Sequence, residues 1–433
     1  MTRTPCDAGT VAACQPQVHG DGVCRRIAGG IMRPSLDVPA HAPPAIRPAH
    51  VWSWRIAVGV MAFLTLVDLF ATQAILPALT VIYRVSPAAM GAAVNASTFG
   101  MAAAGLAVAL FGRRIPRRGG VAAALGLLAL PTALLAHAPD LTTFALLRIV
   151  QGVLMAAAFA LTLAYLSEAT DVAQTSGAFA AYVTGNVASN LFGRIIAAFV
   201  TGSAGIASNF NLFALLNLAG ALLAYVLLRP TGHRRQPPAM RETAAGMMNL
   251  KRRSALVACF AIGFCILFGF IGTFTYVGFV LAHPPLGLDM MSLGLVYLVF
   301  APSLLTTPAA GRIAARFGHR VALSGGLLLA LAGLPLLLTP SLVGVSAGLA
   351  LVAIGTFLAQ AVATGAVGRI APDQPAAASG LYLASYFTGG LVGSVVLGQV
   401  FVHVGWVATV AVIAASFGLA AALTRVVVRD LVE

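Results

Sequence analysis

The chain has 433 residues, of which 59% are hydrophobic and only 9% charged, and its formal net charge is +14. Soluble domains carry about 25% charged residues, so this chain has too little charge to cover a surface that faces water. Composition therefore excludes a soluble globular protein and indicates a polytopic membrane protein. The 45 glycines agree, because small residues let transmembrane helices approach closely.

Residues 1–51 come first and differ from the rest. They hold Pro, Arg and His and lack the apolar stretch of a secretory signal. They are expected to form a disordered cytoplasmic tail, and Met32 offers an alternative start. Cys6, Cys14 and Cys24 lie in this segment, and Cys259 and Cys265 lie in an apolar run. No CxxC pair or Cys/His ligand spacing occurs, so the thiols read as unpaired, and no metal or cofactor is expected.

Twelve apolar stretches follow, each near the 20 residues that cross a bilayer as a helix. They lie at roughly 53–79, 88–111, 119–137, 141–165, 175–201, 207–228, 255–281, 291–310, 321–339, 342–366, 378–402 and 404–425. Together they predict an all-α membrane protein with twelve transmembrane helices. Pro131, Pro302 and Pro335 fall inside them, where neighbouring helices re-satisfy the freed backbone groups. The polar stretch "RPTGHRRQPPAMRETAAGMMNLKRR", from Arg229, interrupts the series after the sixth span. The organisation expected is an N-terminal six-helix bundle (52–228), a basic cytoplasmic linker (229–254), a C-terminal six-helix bundle (255–425) and a short cytoplasmic tail (426–433).

The basic residues alternate with the spans. Arg113, Arg114, Arg117 and Arg118 follow span 2; Arg229, Arg234, Arg235, Arg241, Lys251, Arg252 and Arg253 follow span 6; Arg312, Arg316 and Arg320 follow span 8; Arg369 follows span 10; Arg425 and Arg429 close span 12. Arg84 is the exception on the other side. The bias obeys the positive-inside rule, with both termini cytoplasmic in a plasma (inner) membrane. It accounts for the net charge through the lipid bilayer, without nucleic acid.

Three short matches recur at nearly one offset. "AYVTG" at 181–185 resembles "SYFTG" at 385–389; "GRRIPRR" at 112–118 aligns with "AARFGHR" at 314–320; Gly152 aligns with Gly355. Two related halves are the expected cause, and parallel repeats of this kind occur in secondary transporters, with the site between the halves.

Two motifs carry a family resemblance that covers the chain from about residue 52 onward. "GRIAARFGHR" resembles the loop signature of the major facilitator superfamily, G-x-x-x-D-R-x-G-R/K-R/K, through Gly311, Arg316, Gly318 and Arg320, with Ala315 at the aspartate and His319 at one basic position. The first-half copy, "ALFGRRIPRR", has Arg113 at the aspartate and Pro116 at the second glycine. The resemblance makes Arg113, Arg114, Arg117, Arg118, Gly311, Arg316, Gly318 and Arg320 candidate cytoplasmic gating loops; without the acid, their arginines are left to engage helix C-termini or to act as topogenic charge. "RIVQG" matches the family's R-x-x-Q-G signature through Arg148, Gln151 and Gly152, and that signature is associated with proton-coupled members. Span 5, "GNVASNLFGR", lacks the G-x-x-x-G-P-x-x-G-G pattern of drug/proton antiporters. Gly389, Gly390, Gly393 and Gly398 in span 11 read as packing positions. The resemblance implies two pseudo-symmetric six-helix bundles, alternating access, and a central cavity lined by spans 1, 4, 7 and 10. A monomer is the family's usual condition.

Of the twelve acidic residues, Asp68 alone falls well inside a predicted span. A charge near the midplane costs several kcal/mol or more unless it is paired or wetted. At 1.5 Å per residue, Asp68 lies roughly 16 Å below the outer end of span 1, Arg148 roughly 10 Å below that of span 4, and Arg194 roughly 9 Å below that of span 5. Asp68 and Arg148 are expected to face the cavity as a proton-coupling pair. Burial disfavours the charged carboxylate and a nearby arginine favours it, so a change in water access would load and release a proton. The alternative is a buried salt bridge that ties span 1 to span 4. Arg194 reads either as attracting an anionic substrate or, preferably, as bonding backbone carbonyls or snorkelling outward. Gln73, Asn186, Asn190, Phe274, Tyr276, Gln360 and Tyr386 are the remaining cavity candidates, since a few polar groups in an aromatic wall suit an amphipathic small molecule.

The function expected is secondary active transport of a small molecule, as proton-coupled export of a drug-like compound or metabolite. The alternatives are an organic-anion or sugar carrier of the same fold and a non-transporting membrane sensor. An enzyme is not expected: the chain has no H-E-x-x-H, no G-x-S-x-G, no P-loop and no paired intramembrane carboxylates.

Overall fold

The computed structural model describes residues 48–111, 115–169, 172–228, 250–371 and 375–429. The expected tail up to residue 47, Arg113, Arg114 and most of the expected linker lie outside the described residues. Those described contain helices and no strand.

Proline and glycine decide where the helices differ from the expected spans. Span 1 divides into α1 (Pro48–Ala74) and α2 (Leu76–Tyr83). Pro77 stands in the first turn of α2, where the absent N–H is tolerated but would have broken a continuous ladder. Next come α3 (Pro87–Phe111), α4 (Arg117–Leu135) and α5 (Leu141–Ala169). Spans 5 and 6 run together as α6 (Val172–Leu227), which is broken at Gly205 (φ 85°, ψ 170°). Only glycine takes that conformation readily, so Gly205 divides α6 into a first and a second arm. After α7 (Leu250–Ala282), span 8 is assembled from α8 (Met290–Val296), a 3-10 turn (Tyr297–Phe300) and α9 (Ala301–Phe317), with Pro302 in the first turn of α9. Span 9 is α10 (His319–Gly333) with a 3-10 turn at Pro335–Leu338. The series ends with α11 (Leu342–Ile370), α12 (Pro375–His403) and α13 (Trp406–Arg429). Ten stretches among the described residues are long and apolar enough to cross a membrane; one of them, Ala180–Leu227, contains two expected spans.

The helices before residue 229 pack largely on one another, with α1 along α6, α3 on α5, and α4 on both α5 and α6. Those after residue 249 do the same, with α7 on α12 and α13 and α10 on α11 and α13. Glycine explains the repeat. A Cβ at Gly185 would overlap the Gly59 carbonyl of α1, and one at Gly389 would overlap the Phe264 carbonyl of α7. The matched glycines of "AYVTG" and "SYFTG" therefore serve the same close crossing in each half. The third match is not equivalent: Gly152 sits against Ser97 of α3, whereas Gly355 sits against Gly326 of α10.

The helix ends that carry Arg117, Arg118, Arg312, Arg316, Arg320, Arg369 and Arg425 share one face of this up-and-down arrangement, the basic face. The halves meet along α3 and α12 and, towards the opposite, far face, through α7 and α8. There Tyr276 of α7 wedges between α3 and α12, so that a Cβ at either Gly91 or Gly398 would strike its ring. Its hydroxyl donates to the Ser394 carbonyl, and its ring stacks on Phe401 at 5.4 Å. Ala198 of α6 meets Gly294 of α8, and Pro77 of α2 meets Gly278 of α7.

Candidate functional site

Two polar clusters hang on α1, from residues five positions apart. Asp68 and Gln73 point about 140° away from each other around the helix, so one helix serves two neighbourhoods.

The first cluster lies inside the first half. Asp68 is 2% exposed, and its Oδ1 is 3.4 Å from the Thr132 hydroxyl of α4. Thr132 also accepts from Gln151 Nε2 (2.6 Å) and from Asn217 Nδ2 of the second arm of α6 (3.1 Å), and it donates to the Leu128 carbonyl (2.8 Å). A hydroxyl has one proton to give. The shorter bond takes it, and with both lone pairs of the hydroxyl accepting from Gln151 and Asn217, the 3.4 Å contact holds the Asp68 carboxyl only weakly. Oδ2 of Asp68 is buried without a partner. Arg148, fully buried, donates through Nε to the Val94 carbonyl (2.8 Å), through Nη1 to Gln151 Oε1 (2.7 Å) and the Asp68 main-chain carbonyl (3.3 Å), and through Nη2 to Ser97 Oγ (3.1 Å). The guanidinium thus holds the backbone of Asp68 and acts on its carboxyl only through space. The alternative of a direct salt bridge between α1 and α5 does not describe these contacts. Nor does Asp68 face the other half: its carboxyl turns to α4 and α6, because that side of α1 packs inside its own bundle.

The second cluster joins the halves. Arg194, in the first arm of α6, is fully buried and donates through Nη2 to Gln73 Oε1 (2.6 Å). Gln73 donates to Asn95 Oδ1 of α3 (2.6 Å), and Asn95 donates to Thr275 Oγ1 of α7 (3.2 Å). Four rings surround the guanidinium: Tyr297 at 4.7 Å, Phe300 at 5.5 Å, and Phe70 and Phe274 at 5.6 Å from its centre. The preferred expectation for Arg194 is thereby corrected. It neither bonds main-chain carbonyls nor snorkels, because Gln73 and the rings enclose it.

The other expected residues are spread more widely. Gln360 accepts from the Tyr382 hydroxyl (2.6 Å), and Tyr382 stacks on Tyr386, all within the second half. Tyr276 belongs to the far-face seal, and Phe274 to the rings about Arg194. Asn190 is fully buried and Asn186 partly so. Among the loop residues, Arg118 donates to the Tyr225 carbonyl near the end of α6 (2.7 Å) and stacks over its ring at 4.1 Å. That is the helix C-terminal engagement expected of these arginines, with the positive charge against the negative end of the macrodipole. His319 meets Arg369, joining the start of α10 to the end of α11. Gly318 has φ 81° between α9 and α10, while Gly311, Arg316 and Arg320 are exposed. Sequence reasoning missed Thr132, Asn217, Ser97, Asn95, Tyr297 and Phe300. Asn95 and Asn217 carried a signal, as amides inside apolar spans; a threonine or phenylalanine there carries none.

Residues 58–303 match the family model described as Major Facilitator Superfamily. A relative from Bacillus subtilis (strain 168), named an uncharacterized MFS-type transporter, YybF, is 26% identical over 357 residues, which are 81% of this chain and 87% of the relative. The Escherichia coli (strain K12) inner membrane transport protein YnfM is 28% identical over 347 residues, 78% of this chain and 81% of its own. A crystal structure of a bacterial homolog of the human lysosomal transporter Spinster, inward-facing and unoccupied, superposes with a TM-score of 0.68 at 13% identity, covering 89% of this chain and 96% of its own.

Proposed function

The chain belongs to the Major Facilitator Superfamily and is a multi-pass membrane transporter, and from that premise we propose that it exports a small drug-like compound or metabolite in exchange for protons. The observation that carries the coupling is the Asp68 cluster. A carboxyl with one oxygen unpartnered sits inside a membrane bundle, beside an arginine that leaves its side chain unpaired. Such a group is stable when it holds a proton and becomes a carboxylate when water or a rearranged Arg148 reaches it. A shift of α1 against α4 and α5 would do both, since Gln151, Thr132 and Arg148 meet there. In this reading the basic face is cytoplasmic and the membrane is the plasma membrane, as the positive-inside rule supports. The seal around Tyr276 then closes the outside, and the state is inward-facing. Gln360, Tyr382 and Tyr386 would contribute the wall of the second half, and Arg118 and the α9–α10 loop would brace the basic face as the halves move.

The test is proton flux in proteoliposomes with a trapped pH-sensitive dye, challenged with a panel of drug-like cations, sugars and organic acids. Substrate-evoked flux in the wild type that Asp68→Asn abolishes is the expected result. Undiminished flux in the variant would return Asp68 to a structural role.

A further inference from the structure

The apposed faces of α6 and α9 hold a row of buried polar groups that the coupling cluster does not use. On α6, Asn186, Asn190 and Arg194 recur every four residues and so share one side of the helix. On the facing segment, Tyr297 and Phe300 lie at Arg194, and Ser303 and Thr307 follow at three- and four-residue steps along the same side. The two segments run antiparallel, so Arg194, Asn190 and Asn186 descend one side while Phe300, Ser303 and Thr307 descend the other, about 6 Å per step. Nε and Nη1 of Arg194, both polar atoms of the Asn190 side chain, Oδ1 of Asn186 and the hydroxyls of Ser303 and Thr307 are buried without a hydrogen-bond partner. Tyr297 also bonds the guanidinium, as a neutral partner. Buried groups in this condition demand a polar occupant.

The charge of the row identifies the occupant. Arg194 is a buried cation whose hydrogen bonds go to neutral groups, the Gln73 amide and the Tyr297 hydroxyl. Among the described acidic side chains, Asp68 is committed to the Thr132 cluster, and Asp140 and Asp289 cap helices. A buried charge without a counter-ion calls for one. The rings about it, joined by Phe270 and Phe357 in one aromatic cluster, offer an apolar receptacle beside the donors.

Resting on the transport reading, we propose that the α6–α9 row is the substrate site, and that the substrate is an organic carboxylate with an apolar body, its carboxylate on Arg194 and Asn190 and its body among Phe70, Phe274 and Phe300. Gln73 and the rings of the second half hold Arg194 while the site is empty, and the substrate anion replaces that hold.

The experiment uses the full chain in lipid nanodiscs and isothermal titration with three probes of one shape: benzoate, benzamide and benzylamine. Charge-assisted hydrogen bonds favour benzoate over benzamide by about tenfold or more. Arg194→Gln should remove that preference and Arg194→Lys keep part of it, with the melting temperature of each variant recorded so that a fold defect is seen. Equal affinity for benzoate and benzamide, tightest binding of benzylamine, an unaltered preference in Arg194→Gln, or no binding of any probe overturns the proposal. Benzoate binding and substrate-evoked proton flux are measured separately on the wild type, so the failure of proton coupling and the failure of anion recognition are distinguishable.

Discussion

In α5 the stretch Arg148–Gly152 reads "RIVQG", and at the corresponding offset in α11 the stretch Leu351–Gly355 reads "LVAIG". The arginine and glutamine of the first half are leucine and isoleucine in the second. The difference extends beyond this helix. In the first half, buried polar side chains reach across helices, as in Arg148–Ser97, Gln151–Thr132, Asn217–Thr132 and Arg194–Gln73. Buried threonines bond back to their own helix in both halves, as Thr65 does to Met61 and Thr162 to Ala158 in the first and Thr273 to Gly269 and Thr356 to Val352 in the second, where Tyr382 bonds Gln360 across helices. A back-bonded hydroxyl satisfies itself and ties no helix to another. One packing plan has thus been used twice, with the cross-helix polar machinery concentrated in the first copy. Under the proposed coupling, that concentration would give the first half the proton and leave the second mostly framework and aromatic wall.

The sharpest way to break the comparison is to disturb the position at the same offset in each half. Arg148→Leu strands Gln151, Ser97 and the Val94 carbonyl, and its cost is about 3 kcal/mol or more. Leu351→Met, a volume-conserving change in the other half, should cost less than about 1.5 kcal/mol. Thermal unfolding in detergent, followed by tryptophan fluorescence, ranks the two; equal losses would erase the contrast. The shared plan makes the next prediction. Gly185→Val and Gly389→Val each drive a side chain into a neighbouring backbone carbonyl, and each should lose about 1–3 kcal/mol, by similar amounts. A loss confined to one of them would dissolve the repeat as a packing device.

Asp68→Asn should matter less for stability, by about 1 kcal/mol, because an amide is isosteric with the carboxyl and can still meet the Asn217 side chain that bonds it. The smallest effect belongs to the helix caps, one in each half. Asp140 accepts from the Thr143 N–H and hydroxyl, each at 2.9 Å, and Asp289 from the Ser292 and Met291 N–H groups, each at 3.3 Å. These bonds hold both carboxyls below the usual 3.8. A depressed folded value means that the caps stabilise above about pH 4 and lose that effect as pH falls through the lowered value. Acid unfolding of Asp140→Ala and Asp289→Ala should therefore differ from the wild type near neutrality and converge with it at low pH, with the larger difference for Asp140, whose bonds are shorter.

The fold was legible because hydropathy and charge alternation act over whole spans. Twelve apolar stretches, a basic side and a glycine recurring in two matched helices need no knowledge of contacts. The break of span 1 at Pro77 and the direct run of span 5 into span 6 at Gly205 depend on single residues whose local geometry is set by packing. The site was legible only in its charges. Asp68, Arg148 and Arg194 stand out because an ionisable group in an apolar run is costly, but the direction each side chain takes around its helix is decided by neighbours distant in sequence. Asp68 consequently turned out to face Thr132 and Asn217 inside its own half, while Gln73, five residues on, reaches towards the other half through Asn95.

The measurement that bears most directly on the account is infrared difference spectroscopy of the protein in lipid nanodiscs, following the carboxylic-acid C=O stretch as bulk pH is stepped. A buried acid-form band that responds to pH in the wild type and is absent from Asp68→Asn is the result the account predicts. A spectrum that Asp68→Asn leaves unchanged would contradict it, since the carboxyl proposed to carry the coupled proton would then carry none.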